Sequence, residues 1–243
     1  MKISIKLFSV FILLTVSFTV SSFAFQQDVV KFAKATSSDN IAANSSLNTI
    51  ANEIEDKVPR DTSFNLINTR HKMAVDRLKQ QAASIQEYAK ANNFSSEYVF
   101  LLDMSIPSGK NRFFVYNLKL DSLVCSSLVS HGFGSTIKTS EDQLIFSNNN
   151  YSFKTSLGKY KIGNSYNGTY GLAYKLYGLD STNNRAFERA IVLHSDQHVP
   201  EKEIFPGKIF QSAGCPTVSP LFLPILGSFI KSSQKPILMW IYD

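Results

Sequence analysis

The stretch Tyr98-Val-Phe-Leu-Leu-Asp-Met104 marks the point at which a polar, partly helical sequence gives way to strand-like segments. It is a short apolar run, and the turn residues Pro107-Ser-Gly109 stop it. Further short runs, rich in branched and aromatic residues, follow at 112–118, 123–129, 158–162, 172–177, 189–193 and 237–242. This series predicts a mainly β, antiparallel domain over residues 95–243, of a sandwich or barrel-like kind, with one short helix at 222–230.

The segment before this domain predicts one amphipathic helix between Thr69 and Ala91. Apolar residues recur there at alternating spacings of three and four: Val75, Leu78, Ala82, Ile85 and Ala89. This pattern is typical of a helix that packs one face against a core. From Phe25 to Asn68 the sequence is polar and has no strong pattern. We therefore expect residues 25–94 to form a polar lead-in and a helical extension.

The N-terminus has the three parts of a signal peptide. Lys2 and Lys6 precede an apolar run at 7–20, and Ser22 and Ala24 occupy the small positions of a cleavage site. The run is short for a membrane span. The pattern predicts a signal peptide over residues 1–24 and a periplasmic or extracellular protein with no membrane span after cleavage. The alternative is an uncleaved anchor.

The charge pattern argues against a nucleic-acid partner. The formal charge is +6, and loss of Lys2 and Lys6 with the signal peptide lowers it to +4. Acidic and basic residues are interspersed, whereas a nucleic-acid-binding face needs clustered Lys and Arg. The 44% hydrophobic content is enough for one large core.

One histidine and one cysteine near the end of the chain have the setting of a thiol nucleophile and its base. His194 ends the strand-like run at 189–193, and Cys215 follows Gly214 in a loop of small residues. A thiol needs a base to raise its thiolate fraction at neutral pH, and an imidazole suits that task. The N–H groups of Gly214 and Cys215 are candidates to stabilise an oxyanion.

Other interpretations of these residues remain open at the level of sequence. A disulfide between Cys125 and Cys215 is compatible with an oxidising compartment, although Cys125 has the setting of a reduced, buried strand residue. His194, Asp196 and His198 form a possible zinc-ligand set, but a His-x-x-x-His spacing aligns its imidazoles only on a helix.

A series of short motifs runs in order between Tyr98 and Tyr242. They are Leu102-Asp-Met-Ser-Ile-Pro-Ser108, Arg112-Phe-Phe-Val-Tyr116, Val129-Ser-His-Gly132, Phe146-Ser-Asn148, Ser156-Leu-Gly-Lys-Tyr160, Tyr170-Gly171, Asn184-Arg-Ala186, Arg189-Ala-Ile-Val-Leu-His194 and Ser212-Ala-Gly-Cys-Pro216. In order and spacing they resemble the L,D-transpeptidase catalytic domain family (YkuD-type), in its murein L,D-transpeptidase branch.

The resemblance implies a mostly antiparallel β fold in which a histidine and a cysteine face each other across a cleft. It assigns Cys215 as the nucleophile and His194 as its base. Ser212 lies where the family keeps a residue that orients the imidazole, sometimes through a backbone carbonyl. The N–H of Gly214 becomes a candidate oxyanion donor, and no metal or other cofactor is implied.

The resemblance also implies a substrate class, namely peptidoglycan stem peptides as acyl donor and acceptor. We expect His131 and Arg189 to contact this substrate, although His131 is equally compatible with a turn histidine bonded to backbone. Hydrolysis of the same acyl-enzyme, as in an L,D-carboxypeptidase, and a non-catalytic wall-binding role are the alternatives. Two residues depart from the family pattern: Ser195 replaces the usual glycine after the histidine, and Gln211 stands where the branch often has arginine.

Overall fold

A computed structural model describes residues 62–137 and 140–243, with side chains from Val75 onward except in 137–142. The predicted signal peptide at 1–24 and the polar lead-in from Phe25 to Asp61 lie outside the described residues. No helix in the described part of the chain is both long and apolar enough to cross a bilayer.

The described chain contains two α-helices, one 3-10 turn at Phe133–Ser135 and ten strands. The helices are α1 (Thr62–Ala91) and α2 (Phe222–Ser232). The strands are β1 (Tyr98–Asp103), β2 (Phe113–Asn117), β3 (Ser122–Ser127), β4 (Thr136–Ile137), β5 (Ser140–Leu144), β6 (Gly158–Gly168), β7 (Gly171–Gly178), β8 (Val192–Ser195), β9 (Thr217–Val218) and β10 (Leu238–Tyr242).

Eight strands form one sheet in the order β3-β2-β1-β10-β6-β7-β8-β9, and β4 and β5 form a separate pair. The predicted mainly β fold is confirmed. Most neighbours are antiparallel, as predicted, but β1 pairs with β10 and β8 pairs with β9 in parallel. The last strand of the chain therefore lies in the middle of the sheet, beside the first.

Strands β1 and β10 are buried on both faces, which explains why their sequences are largely continuous apolar runs. Along β1, Phe100 and Leu102 join one core cluster, whereas Val99 and Leu101 join the other. Side chains of successive residues in a strand point to opposite faces. Helix α2 covers the first face with Phe222, Leu223, Leu226 and Phe229.

Helix α1 covers the opposite face. It begins at Thr62 rather than at the predicted Thr69. Four of the five predicted contact residues are buried there: Leu78, Ala82, Ile85 and Ala89. The fifth residue, Val75, is 40% exposed, so the prediction that Val75 packs against the core was wrong. Arg77 lies 3.3 Å from the buried carboxylate of Asp103 at the end of β1 and so ties the helix to the sheet.

The strand predicted at 189–193 is displaced along the chain. Strand β8 begins at Val192 and continues to Ser195, because the residues before Val192 form a series of turns. Ala190 has a positive φ of 54°, which a strand does not accommodate. His194 is consequently a strand residue that pairs with Ala173 and Thr217, and the strand continues one residue beyond it.

Candidate active site

The last two strands of the sheet position the predicted base. His194 lies in β8 between Ala173 of β7, its antiparallel partner, and Thr217 of β9, its parallel partner. Only 6% of His194 is exposed. Cys215 lies two residues before Thr217, so the sheet brings the histidine and the cysteine loop to the same edge.

Both ring nitrogens of His194 have a defined partner. Nδ1 lies 3.1 Å from the carbonyl oxygen of Ser195, and Nε2 lies 3.1 Å from Oγ1 of Thr217. A carbonyl oxygen can only accept, so Nδ1 carries the proton of the neutral ring. Nε2 then presents its lone pair to the Thr217 hydroxyl, which is the arrangement a general base requires.

The environment of His194 keeps the imidazole neutral. Burial lowers its pKa below the usual value, against the opposing effects of the Ser195 carbonyl and the Asp196 charge. Tyr170, on the connection between β6 and β7, stacks on the ring with centroids 5.0 Å apart. Tyr170 is 67% exposed and shields one face of the imidazole from solvent. Sequence analysis gave Tyr170 no role, because nothing in its local pattern indicates the contact.

Cys215 is a free thiol whose resting form is protonated. Burial raises its pKa, against the lowering effects of the Val192 N–H and the charge of Arg189. The sulfur accepts from the N–H of Val192 at 3.5 Å and faces the carbonyl oxygen of Ala190 at 3.8 Å. The thiol thus rests against the turn that leads into β8.

Among the described residues, no direct hydrogen bond joins the side chains of His194 and Cys215. The Thr217 hydroxyl links them instead, because Oγ1 lies 3.1 Å from Nε2 of His194 and 3.3 Å from the carbonyl oxygen of Cys215. Its single proton has two competing acceptors. Thr217 is fully buried, and sequence analysis did not identify it as a site residue.

The orienting contact expected of Ser212 is made by another residue. Ser212 Oγ donates to the carbonyl oxygen of Cys215 at 2.6 Å and accepts from the N–H of Gly214 at 3.1 Å. It therefore braces the cysteine loop, while the carbonyl of Ser195 holds the imidazole. A backbone carbonyl leaves no signal in a sequence, although Ser195 was noted as a departure from the family pattern.

Gly214 permits the sharp course of the cysteine loop. Its φ is +121°, a region that side chains rarely adopt. Its N–H, predicted as an oxyanion donor, is already bonded to Ser212 Oγ. The N–H of Cys215 has no acceptor among the described residues and is the remaining donor at the loop.

Arg189, predicted to bind substrate, makes four hydrogen bonds inside the protein. Its guanidinium donates to the carbonyl oxygens of Ser147 and Lys154 and to the hydroxyls of Ser152 and Ser156, at 2.6–3.4 Å. It fastens the segment 147–156 beside the cysteine loop. The side chain also borders a cavity of about 230 Å³ that includes Ala190 and Ala213.

His131 lies in a different cavity, of about 170 Å³, together with Arg112, Thr136 and Gln211. Its Nδ1 lies 2.8 Å from Nη2 of Arg112, and its Nε2 lies 3.2 Å from Oγ1 of Thr136. Burial, followed by the charges of Arg112 and Lys208, lowers its pKa to about 3. His131 is therefore bonded to side chains, not to the backbone of its turn.

The alternatives for the cysteines and histidines have clear outcomes within the described residues. Cys125 and Cys215 are both free, so the disulfide interpretation was wrong. No group of three or more described His, Cys, Asp or Glu residues is placed to hold a metal ion. His198 instead bonds Asp196, with Nδ1 2.7 Å from the carboxylate.

Comparison with known proteins adds a family assignment. No curated protein matches the chain. Among solved structures, it is similar to an L,D-transpeptidase from Xylanimonas cellulosilytica (15% identity, 61% of each chain covered, TM-score 0.34). It is also similar to Bd1075 from Bdellovibrio bacteriovorus (17% identity, 62% of this chain and 51% of that chain, TM-score 0.37). A third is an L,D-transpeptidase from Mycobacterium tuberculosis (14% identity, 60% of this chain and 58% of that chain, TM-score 0.30).

The matched part spans between half and two thirds of each of those solved chains, and the TM-scores are too low to carry an argument. The match to a family model is stronger evidence than these structural similarities, because it extends over most of this sequence. The model of the L,D-transpeptidase catalytic domain matches residues 69–241 of the 243, which include most of α1, the sheet except for Tyr242, and the cysteine loop. The chain belongs to the L,D-transpeptidase catalytic domain family.

Proposed function

We propose that this protein is an exported, cysteine-dependent L,D-transpeptidase that acts on peptidoglycan tetrapeptide stems. The observation that supports it best is the pairing of β8 with β9. This pairing places a neutral histidine, with its lone pair on Nε2, at the same sheet edge as the thiol of Cys215.

The acyl-enzyme forms in one exchange of bonds. The Cys215 sulfur attacks the carbonyl carbon of the third stem residue, a carbon–sulfur bond forms, and the carbon–nitrogen bond to the terminal D-Ala breaks. His194 takes the thiol proton and delivers it to the leaving amine. The hydrogen bond from Nδ1 to the Ser195 carbonyl stabilises the imidazolium that exists between these steps.

Proton transfer requires the Cys215 side chain to leave its resting position. In that position the sulfur bonds Val192 and faces Ala190, not His194. Rotation about χ1 of Cys215, on substrate binding, brings the thiol to Nε2. The Thr217 hydroxyl then gives up its contact with Nε2 and keeps the one to the carbonyl oxygen of Cys215.

The N–H of Cys215 is the backbone donor that stabilises the negative charge on the oxygen of the tetrahedral intermediate. This group lacks an acceptor among the described residues, whereas the N–H of Gly214 is held by Ser212. A backbone donor fixed in a loop needs no reorganisation when the oxyanion forms. In the second half-reaction an amine of another stem attacks the thioester, the carbon–sulfur bond breaks, and His194 receives the amine proton.

Export is proposed on the sequence alone. Residues 1–24 have the charged start, apolar run and small exit positions of a signal peptide. Peptidoglycan lies outside the inner membrane, so this proposal and the substrate proposal are consistent with each other.

The direct test is incubation of the protein with purified tetrapeptide stems, followed by mass analysis. We expect loss of D-Ala and dimeric stems in the presence of an acceptor amine. The Cys215→Ala protein should release no D-Ala, and Cys125→Ala serves as the matched cysteine control. Release of D-Ala with only tripeptide product would identify hydrolysis, and no release by the wild-type protein would reject the proposed chemistry.

A further inference from the structure

Tyr170 lies at the tip of the hairpin that joins β6 and β7. Gly168 and Gly171 are the last paired residues of this hairpin, so Thr169 and Tyr170 form a two-residue turn. Tyr170 is three residues before Ala173, which is the antiparallel partner of His194. The hairpin therefore ends beside the histidine, and a long side chain at its tip can reach the imidazole.

The contact between the two rings is a stack. Their centroids lie 5.0 Å apart and their planes are inclined by 22°, so the tyrosine covers a face of the imidazole rather than its edge. Both nitrogens point outward in the plane of the imidazole, and the stack leaves Nε2 open to its partners. Tyr170 is 67% exposed, and its hydroxyl has no hydrogen-bond partner among the described residues. The imidazole of His194 is therefore the defined partner of this side chain in the described structure.

The charge of His194 changes during the proposed reaction. The imidazole is neutral at rest and becomes an imidazolium when it takes the thiol proton of Cys215. Burial opposes that charge, whereas the Ser195 carbonyl and the Asp196 carboxylate favour it. No described carboxylate bonds either nitrogen of the ring, because their partners are a backbone carbonyl and the Thr217 hydroxyl. The imidazolium therefore needs stabilisation from groups other than a bonded carboxylate.

An aromatic face provides stabilisation of this kind. The face of a phenol ring is electron-rich, and a cation within about 6 Å of its centroid is attracted to it. At exposed sites this attraction favours the charged form by about 2- to 5-fold, after conversion from free energy. A neutral imidazole gains the packing of the stack but not the attraction between charge and ring. The contact is consequently stronger after proton transfer than before it, which is the property that accelerates a reaction.

We propose that Tyr170 is a positioning residue that stabilises the protonated form of His194 during acylation of Cys215. This inference rests on the proposed function, since that reaction moves the proton. The proton leaves Sγ of Cys215 for Nε2 of His194. The imidazolium then has one face on the Tyr170 ring and its Nδ1–H on the Ser195 carbonyl. The same proton passes to the leaving amine when the carbon–nitrogen bond breaks, and the imidazole is neutral again.

Substitutions at position 170 can separate the effect of charge from simple covering of the imidazole. Tyr170→Phe keeps the aromatic face and removes a hydroxyl that has no partner among the described residues. Phenylalanines with one, two or three ring fluorines, introduced at the same position, keep the size of the ring but withdraw electrons from its face. Tyr170→Leu covers the imidazole without an aromatic face. The quantity to compare is the rate constant of acylation at saturating carbapenem, because saturation removes differences in carbapenem affinity.

The rate constant should follow the electron density of the ring. We expect Tyr170→Phe to stay within about twofold of the wild type, and each added fluorine to slow acylation further. Tyr170→Leu should be about 2- to 5-fold slower than the wild type. A residue that only shielded the imidazole would give equal rate constants for the whole phenylalanine series.

The titration of His194 gives a second readout that does not depend on the chemistry. In the Cys215→Ala protein, NMR of labelled histidine follows the titration midpoint, and His194→Ala identifies the signal among the four histidines. Loss of a group that stabilises the cation lowers this midpoint. Loss of shielding alone raises it, because burial lowers the pKa of His194. Tyr170→Leu should therefore lower the midpoint by about 0.3 to 0.7 of a pH unit, and the fluorinated series should show smaller, graded decreases.

Tyr166 provides a matched control on the same hairpin. It is 38% exposed, its ring centroid lies 5.7 Å from Nζ of Lys175, and it makes no stack with His194 in the described structure. Tyr166→Leu should leave both the rate constant of acylation and the His194 midpoint unchanged.

Three results would overturn the role of Tyr170. They are equal rate constants across the phenylalanine series, an unchanged His194 midpoint, or a midpoint that rises in Tyr170→Leu. Failure of the proposed function looks different. In that case the midpoints follow the series as expected, while the wild-type protein forms no acyl-enzyme with a tetrapeptide stem.

Discussion

Replacing His194 with alanine should convert acylation of Cys215 from a nearly pH-independent reaction into one that rises steeply with pH. In the wild-type protein, burial keeps the pKa of His194 below its usual value, so the imidazole is a neutral base throughout the range above pH 6.5. The thiol can transfer its proton to Nε2 over that whole range, and the acylation rate should form a plateau.

The size of the effect follows from the thiol. An unassisted cysteine with a pKa of about 8.5 is only about 3% thiolate at pH 7. Burial raises the pKa of Cys215 and lowers that fraction further. Loss of the base should therefore slow acylation at pH 7 by at least about 30-fold. The rate should then recover about tenfold for each pH unit up to the pKa of the thiol.

The assay is the rate of acylation by a carbapenem, followed by intact mass at pH values from 6 to 9. His198→Ala is the matched control, because His198 lies four residues further along, is exposed and bonds only Asp196 among the described carboxylates. Equally fast, parallel profiles for the wild type and His194→Ala would remove His194 from the mechanism. His131 could not replace it, since neither of its nitrogens has a lone pair to spare.

Three further predictions concern residues around the nucleophile. Thr217→Val should slow acylation by about 3- to 10-fold, because the carbonyl oxygen of Cys215 loses the hydroxyl donor that the mechanism retains, and Thr217→Ser should restore the rate; equal rates for the two variants would contradict the role of the hydroxyl. Gly214→Ala should destabilise the fold by about 1–3 kcal/mol, measured by chemical denaturation, because its φ is +121° and the added Cβ would lie 3.1 Å from the carbonyl oxygen of Lys154; an unchanged midpoint would refute this. Cys125→Ala should leave acylation unchanged, since burial raises the pKa of Cys125 to about 12; preferential alkylation of Cys125 over Cys215 would show the opposite.

The parts of the fold that could be predicted are those whose sequence pattern is compatible with only one kind of secondary structure. Strands β1 and β10 are continuous apolar runs, and both lie in the sheet within a residue or two of the predicted bounds. The stripe on α1 was predicted for the same reason, except at Val75, which is exposed. Strand β9 was missed, because two residues between Pro216 and Ser219 give no periodicity.

The site was predictable where the chemistry belongs to a side chain type. Cys215 and His194 could be named from the sequence because only cysteine supplies a thiol nucleophile and because histidine is the usual base near neutral pH. The contact to the imidazole could not be assigned, because it comes from the main chain of Ser195. The burial of Arg112 could not be predicted either, because arginines are mostly exposed and nothing in the neighbouring sequence indicates that this one is buried.

The most direct test of the central claim is intact-mass analysis of the protein after brief incubation with a purified tetrapeptide stem, quenched in acid. The account predicts an adduct with the mass of the stem less its terminal D-Ala, located on Cys215 by peptide mapping and absent from Cys215→Ala. Free D-Ala should appear in equal amount. Stems consumed without such an adduct in any quench, or an adduct that persists in Cys215→Ala, would contradict it.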